Sequence, residues 1–366
     1  MENIEEKHAR LLLDYSVNLK PNEKICIQGG VASLPLMHAL FSHSLKKKAF
    51  PQLVILDESS QENILKYGSK EQISYIPESE MAIIKHIDVL INIIGNENTK
   101  YLSSVDPENI KLQNQSRKVY VNTFFDRLRN KDLRFATTLH PTQSQAQEAS
   151  MSLSDYRRFV YDACKLYSDN PVKEWRDISN EQDRICNFLN TKNYLHIVSS
   201  NTDLTMSVKG RKWINCDGKM NLPDGEVFTG PIENSVNGHI NFSFPGIYAA
   251  KEIENIHLIF KDGKVVDAKA SKGQNLLLQL LDTDEGARYV GEIAVGTNHN
   301  ITQFTKNMLF DEKIGGTVHL AIGRSLSESG GLNKSSIHWD MLCDMNDGGE
   351  IYADDELIYK DSKFII

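Results

Sequence analysis

Five residues in the C-terminal half have the types that a hydrolytic metal centre needs: Glu226, Glu292, His319, and the pair His338 and Asp340. Three carboxylates and two imidazoles suffice to hold two divalent cations. Such a pair generates hydroxide near neutral pH and polarises a carbonyl. Each residue also has a plainer reading. His338 and Asp340 are two apart in Ser336-Ile337-His338-Trp339-Asp340-Met341-Leu342. On a strand they share a face, with Ile337, Trp339 and Met341 on the other, so they form either a metal-binding pair or a surface His/Asp pair on an edge strand. His319 lies between Gly315-Gly316-Thr317-Val318 and Leu320-Ala321-Ile322-Gly323. An imidazole in an apolar strand needs a partner, as a ligand or as a hydrogen-bonded core histidine. Glu292, between Gly291 and Ile293-Ala294-Val295, calls for a cation or hydrogen-bond donors once buried, and Arg288 is close enough in sequence to form an ordinary salt bridge. Glu226 follows a Pro-Asp-Gly turn and starts a strand, a position that also suits a solvent-facing carboxylate.

These residues must be positioned by a scaffold, and the sequence pattern describes one. The first half alternates helical spacing (Ala9 to Leu19, Leu34 to Lys47) with short apolar runs (Lys24 to Gln28, Leu53 to Leu56, Val89 to Ile94, Val119 to Asn122). Strands separated by helices imply a mostly parallel α/β sheet domain. Residues 142–190 read as helical. From Tyr194 short alternating segments take over, with Asp262-Gly263 as a hairpin turn and one helical interruption from Asn275 to Val290, where Asp282 and Glu285 suit a capping box. The expected division is 1–191, an N-terminal α/β domain, and 192–366, a C-terminal α+β, largely β, metal-binding domain. His299, near Glu292 in sequence, is a candidate supporting residue. Gly29-Gly30 lacks the Gly-x-Gly-x-x-Gly pattern and reads as a structural turn.

The chain has 366 residues and a net charge of -8, which argues against nucleic acid or an anionic membrane as partner. Lys46-Lys47-Lys48 is too short for a basic tract and reads as a solvated helix end. Five scattered cysteines without a Cys-x-x-Cys spacing suit a reducing, cytoplasmic compartment. The acidic start, Met1 to Lys7, reads as helix without an apolar signal core, and no apolar run is long enough to span a bilayer. Neither a His-Glu-x-x-His helix nor a Gly-x-Ser-x-Gly elbow is present, so a single-zinc protease and a serine hydrolase lack support.

Taken together, Thr138-Leu139-His140-Pro141-Thr142, Gln147-Glu148-Ala149, Asp224 to Pro231, Leu281 to Arg288, Phe310 to Thr317 and Ser336 to Asp340 resemble the M29 metallo-aminopeptidases, the aminopeptidase T group, over nearly the whole chain. The resemblance implies release of N-terminal residues from peptides with a free N-terminus. It implies two divalent metals (zinc, cobalt or manganese), held by Glu226, Glu292, His319, His338 and Asp340, that activate a water. One carboxylate would bridge them, Glu292 being a candidate. It also implies a homodimer. One position departs from the family: the active-site tyrosine expected seven residues after the first histidine is Leu326, which cannot donate a hydrogen bond to a developing oxyanion. The alternative reading is therefore a metal-binding homologue with weakened catalysis, acting as a peptide-binding or regulatory scaffold; a closed structural metal site is a third.

Overall fold

The computed structural model describes residues 3–248 and 251–366; Met1 and Glu2 of the expected N-terminal helix lie outside them. By internal contacts the chain divides into two units, residues 1–173 with 218–223, and residues 174–217 with 224–366.

The first unit is an α/β layer around five parallel strands, in the order Phe50–Ile55, Lys24–Gly29, Val89–Ile94, Arg134–Leu139 and Asn221–Leu222. Val89–Ile94 is central and reads Val-Leu-Ile-Asn-Ile-Ile, as a strand covered on both faces should. The N-terminal helix runs Ile4–Leu11 and continues as a wider turn over Leu12–Ser16. Asn3 caps its start, accepting from Glu5 N–H. Helix Leu34–Lys46 ends in the lysine run, where Lys47 pairs with Asp14.

One segment overturns its sequence pattern. Val119 to Asn122 reads as a strand, but Lys118–Arg129 is a helix. Its apolar positions that pack inward are Tyr120, Phe124 and Leu128, four apart, against Cys26, Ile84, Leu90 and Leu133. The β-branched Val119 and Val121 face solvent. A spacing of four put to use in packing outweighs local β propensity.

Besides a two-stranded ribbon, Gly246–Tyr248 with Lys251–Ile253, the second unit holds two antiparallel sheets. The larger runs Lys264–Lys269, His257–Lys261, Asn237–Asn241, Thr202–Ser207, Tyr194–Ser199, Glu350–Ala353, Glu356–Lys360 and Lys363–Phe364. The smaller runs His338–Asp344, Thr317–Gly323, Val290–Gly296, Glu226–Thr229 and Ile214–Cys216. One apolar core takes residues from both, including Leu195, Ile197, Leu204 and Leu258 from the larger and Ile293, Leu320, Ile322 and Met341 from the smaller. Helix Pro171–Leu189 contributes Ile185, Cys186 and Leu189 to that core, which explains why most of this helix belongs with the second unit despite the change in sequence texture at residue 192.

Asp262 and Gly263 both have positive φ and join His257–Lys261 to Lys264–Lys269 as a tight hairpin. The helical interruption is shorter than its pattern: Gln274–Leu281. Asp282 closes that helix instead of opening another, and binds Arg288. The Asp284 carboxylate gathers Gly286 N–H, Ser336 N–H and the hydroxyls of Ser335 and Ser336 into the turn that follows.

Candidate metal centre

Strand register explains how five distant residues meet. Across the smaller sheet Glu226 pairs with Gly296, Ala294 with His319, Glu292 with Ala321, Ala321 with Asp340, and Gly323 with His338. Paired residues project to the same side, and so do residues two apart. Glu226, Glu292, His319, His338 and Asp340 therefore share one face of four adjacent strands. The positions between them are Ala294, Gly296, Ala321 and Gly323, which put no bulky side chain in the way. The opposite parity sends Val227, Ile293, Val295, Val318, Leu320, Ile322, Trp339, Met341 and Cys343 into the apolar core. A register slip of one residue would exchange the two faces, so the same packing that builds the core places the polar cluster.

The geometry is close. His319 Nε2 lies 3.4 Å from both Glu226 Oε2 and Glu292 Oε1. His338 Nε2 lies 3.6 Å from Glu292 Oε2 and 3.5 Å from Asp340 Oδ2. Glu292, His319 and Asp340 offer ligand atoms all within 4.8 Å of one another. His338 Nδ1 meets the Arg324 carbonyl at 2.7 Å. A carbonyl can only accept, so Nδ1 carries a proton and Nε2 is the nitrogen turned toward the cluster, free to ligate once its own proton is displaced. The plainer readings of Glu226 and Glu292 do not hold: both are buried, and Arg288 binds Asp282 and the Val265 carbonyl instead of Glu292.

The donor set fits a divalent cation. Glu226 Oε2, Glu292 Oε2 and Asp340 Oδ1 are buried and accept no hydrogen bond among the described residues. Three carboxylates with unsatisfied oxygens, gathered out of water, cost free energy unless positive charge joins them. Without a metal the cluster holds protons. Burial pushes Glu226 up, and pushes Asp340 up to about 6 against the pull of His338. Burial disfavours the His319 cation, yet its bond to Glu292 and the charges of Glu226 and Asp340 prevail and raise it to about 10. Burial also opposes the His338 cation, and Asp340 and Glu292 raise it all the same. Bound metal would displace these protons.

Sequence reasoning missed two neighbours, Lys313 and Glu312. Lys313 is fully buried, with Nζ 3.5 Å from Glu226 Oε1 and in contact with Glu312 Oε1. Burial works against the Glu312 anion, but Lys313 and then His319 hold its carboxyl below the usual range. Cys216 and Asp224 lie on the same side: with Glu226 their ligand atoms fall within 4.8 Å of one another. Lys313 supplies the positive charge there, acting on both. Burial, then Glu226 and Asp224, push the Cys216 thiol far up, so it stays protonated. The available signal was Asp311-Glu312-Lys313, three charged residues between Phe310 and Ile314; buried charges in such a run must pair with something. Asp311 is buried too, accepting from Thr305 N–H and Oγ1, and burial raises it to about 7.

Helix Pro171–Leu189 fixes the Glu226 strand through Gln182, whose Nε2 donates to the Cys216 and Glu226 carbonyls at 2.9 Å each. Leu326 is partly exposed, two residues beyond Arg324, at the start of the short helical turn Ser327–Ser329. His299 packs beside Gly315, in the loop that carries Lys313, where an added Cβ would meet its Nδ1 at 2.5 Å.

Known proteins resemble this chain along nearly its whole length. The chain is 26% identical to aminopeptidase PepS of Streptococcus thermophilus, covering 94% of this chain and 92% of that one. It is 26% identical to aminopeptidase AmpS of Bacillus subtilis (strain 168), covering 93% of each. The fold matches the solved structure of wild-type AmpT from Thermus thermophilus with a TM-score of 0.85, over 99% of both chains at 20% identity. The model of the thermophilic metalloprotease (M29) family matches residues 1–364. A buried carboxylate–imidazole cluster on a chain matched by that family from end to end places the protein in the M29 metallopeptidases.

Proposed function

We propose that this M29 enzyme is an aminopeptidase that removes N-terminal residues from peptides using two divalent metals. Glu226 and His319 with one oxygen of Glu292 would hold the first, and His338 and Asp340 with the other oxygen would hold the second. The observation that carries this reading is the split of Glu292: Oε1 faces His319 at 3.4 Å, Oε2 faces His338 at 3.6 Å. That split supports Glu292 as the bridging carboxylate. When bound, the metals would supply Lewis acidity, lowering the pKa of a water and polarising the scissile carbonyl. The protein's own residues do the rest. The apolar face anchors every ligand strand, Arg324 O fixes the His338 tautomer, and Lys313 holds Glu226 Oε1 so that Oε2 points toward His319.

Zinc, cobalt and manganese all suit mixed imidazole and carboxylate donors. Five free cysteines, four of them buried, support a reducing compartment such as the cytoplasm. No helix among the described residues is long and apolar enough to cross a membrane. Peptides with a free N-terminus as substrates, and a homodimer as the assembly, belong to the same reading. The non-catalytic scaffold has less behind it, since the full-length relatives PepS and AmpS are named aminopeptidases.

Hydrolysis of an aminoacyl p-nitroanilide panel by chelator-treated protein, refilled with zinc, cobalt or manganese, tests this. Metal-dependent release that disappears in Glu292→Ala is expected. Absence of release with every metal would overturn it.

A further inference from the structure

An aminopeptidase must recognise a free α-ammonium, and the geometry around the five ligands points to a group for that task. We propose that the Glu312 carboxylate, steadied by Lys313, binds the α-ammonium of the substrate's N-terminal residue. The proposal rests on the aminopeptidase reading above.

Three observations carry it. First, Glu312 stands beside the cluster: Lys313 bridges it to Glu226, and its charge acts on His319, His338 and Asp340 as well. Second, its side chain is the more accessible of the neighbouring carboxylates. Its side chain is 20% exposed, against 7% for Glu226 and 6% for Glu292, and only Lys313 donates to it among the described residues. Third, Lys313 fixes one oxygen and leaves the other to accept from a second ammonium. A charge-assisted N⁺–H···O⁻ bond is the strongest ordinary contact a protein offers an amine. Lys313 is itself pinned by the surrounding loop, its N–H donating to Phe310 O and its carbonyl accepting from Asn298 N–H. The carboxylate is therefore preorganised, which lowers the ordering cost of binding. A peptide blocked at its N-terminus would bring no ammonium to this position, and that would select for exopeptidase action.

The test compares two inhibitors that differ only in the amine, leucine hydroxamate and 4-methylpentanehydroxamate. Each is titrated calorimetrically into the zinc-refilled full chain, and into its Glu312→Gln and Glu312→Asp variants. The parent should favour the amine-bearing compound by roughly ten- to hundredfold. In Glu312→Gln that preference should shrink to a few-fold, with affinity for the amine-free compound and zinc uptake both preserved; Glu312→Asp should restore part of it. An undiminished preference in Glu312→Gln would place the amine elsewhere and overturn the proposal. Loss of zinc from Glu312→Gln would make Glu312 part of the metal cage and overturn it too. A parent that binds neither hydroxamate and cleaves no aminoacyl p-nitroanilide would instead sink the aminopeptidase reading itself.

Discussion

His8 in the first unit and His319 in the second are equally buried, each 1% exposed, yet their surroundings drive them in opposite directions. His8 Nε2 lies 2.8 Å from Thr138 Oγ1, whose hydroxyl donates to the Leu222 carbonyl. With that hydroxyl proton committed, the ring nitrogen is the donor, and the chain of bonds closes on a neutral imidazole. Burial, then His140, lowers its pKa to about 3. His319 faces Glu226 and Glu292, each of which keeps an Oε2 that accepts no hydrogen bond among the described residues, and stands near 10. The contrast shows that residue type and burial do not identify a ligand. What separates the two is the state of their partners: His8 faces satisfied groups, and His319 stands among unsatisfied carboxylates that call for positive charge.

The largest effect should come from removing the carboxylate shared by both histidines on the metal face. Glu292→Ala should lower kcat/KM on an aminoacyl p-nitroanilide by on the order of 10³-fold or more, with circular dichroism unchanged. His8→Gln should leave kcat per folded molecule within a few-fold. Equal losses in the two variants would erase the distinction between them.

The other side of the same sheet should behave as core. Trp339 lies between His338 and Asp340 and donates from Nε1 to the Ile247 carbonyl. Trp339→Ala should cost about 3–5 kcal/mol of stability, seen in chemical denaturation, while zinc uptake by the folded fraction persists. If metal binding is lost before folding, the division of labour between the faces is wrong.

The pH response sharpens the comparison further. His8 has a folded value of about 3 against an ordinary 6.5. Between the two, the unfolded chain takes up a proton that the folded chain refuses. Stability from this source is therefore intact above 6.5 and falls as the pH drops, by about 1.4 kcal/mol per unit. At pH 5 the first unit should have lost about 2 kcal/mol, read from exchange protection of Arg134–Leu139 after correction for intrinsic rates. His8→Gln should flatten this slope; an unchanged slope would assign it to other groups.

The smallest effect concerns Leu326. It is partly exposed, so Leu326→Tyr should fold normally. A phenol there should raise kcat by roughly tenfold through a hydrogen bond formed in the transition state, with KM little changed. No gain would mean that this chain's chemistry does not use the position.

Much of the site was legible in the sequence because strands have a simple period. His338 and Asp340 two apart, with Ile337, Trp339 and Met341 between and around them, already specify which side chains share a face. Cross-strand register was not legible: nothing in the residues near Glu226 says that it lies opposite Gly296, or that Glu292 and Asp340 flank Ala321. Lys313 and Glu312 were missed for the same reason, since a buried ion pair is defined by what surrounds it. In the first unit the strand Val89–Ile94 was plain from its apolar run, while Lys118–Arg129 misled because its valines sit on the solvent side. The Asp282–Glu285 spacing matched a capping box but formed a helix end and a turn, because Arg288 takes the Asp282 carboxylate while Ser335 and Ser336 take that of Asp284.

The most direct test of the shared metal face is calorimetric titration of the chelator-treated full chain with zinc, beside Glu292→Ala. The two-metal proposal predicts two ions per chain for the parent and no more than one for the variant. A parent that takes up no zinc, or a variant that still binds two ions with parental affinity, would contradict it.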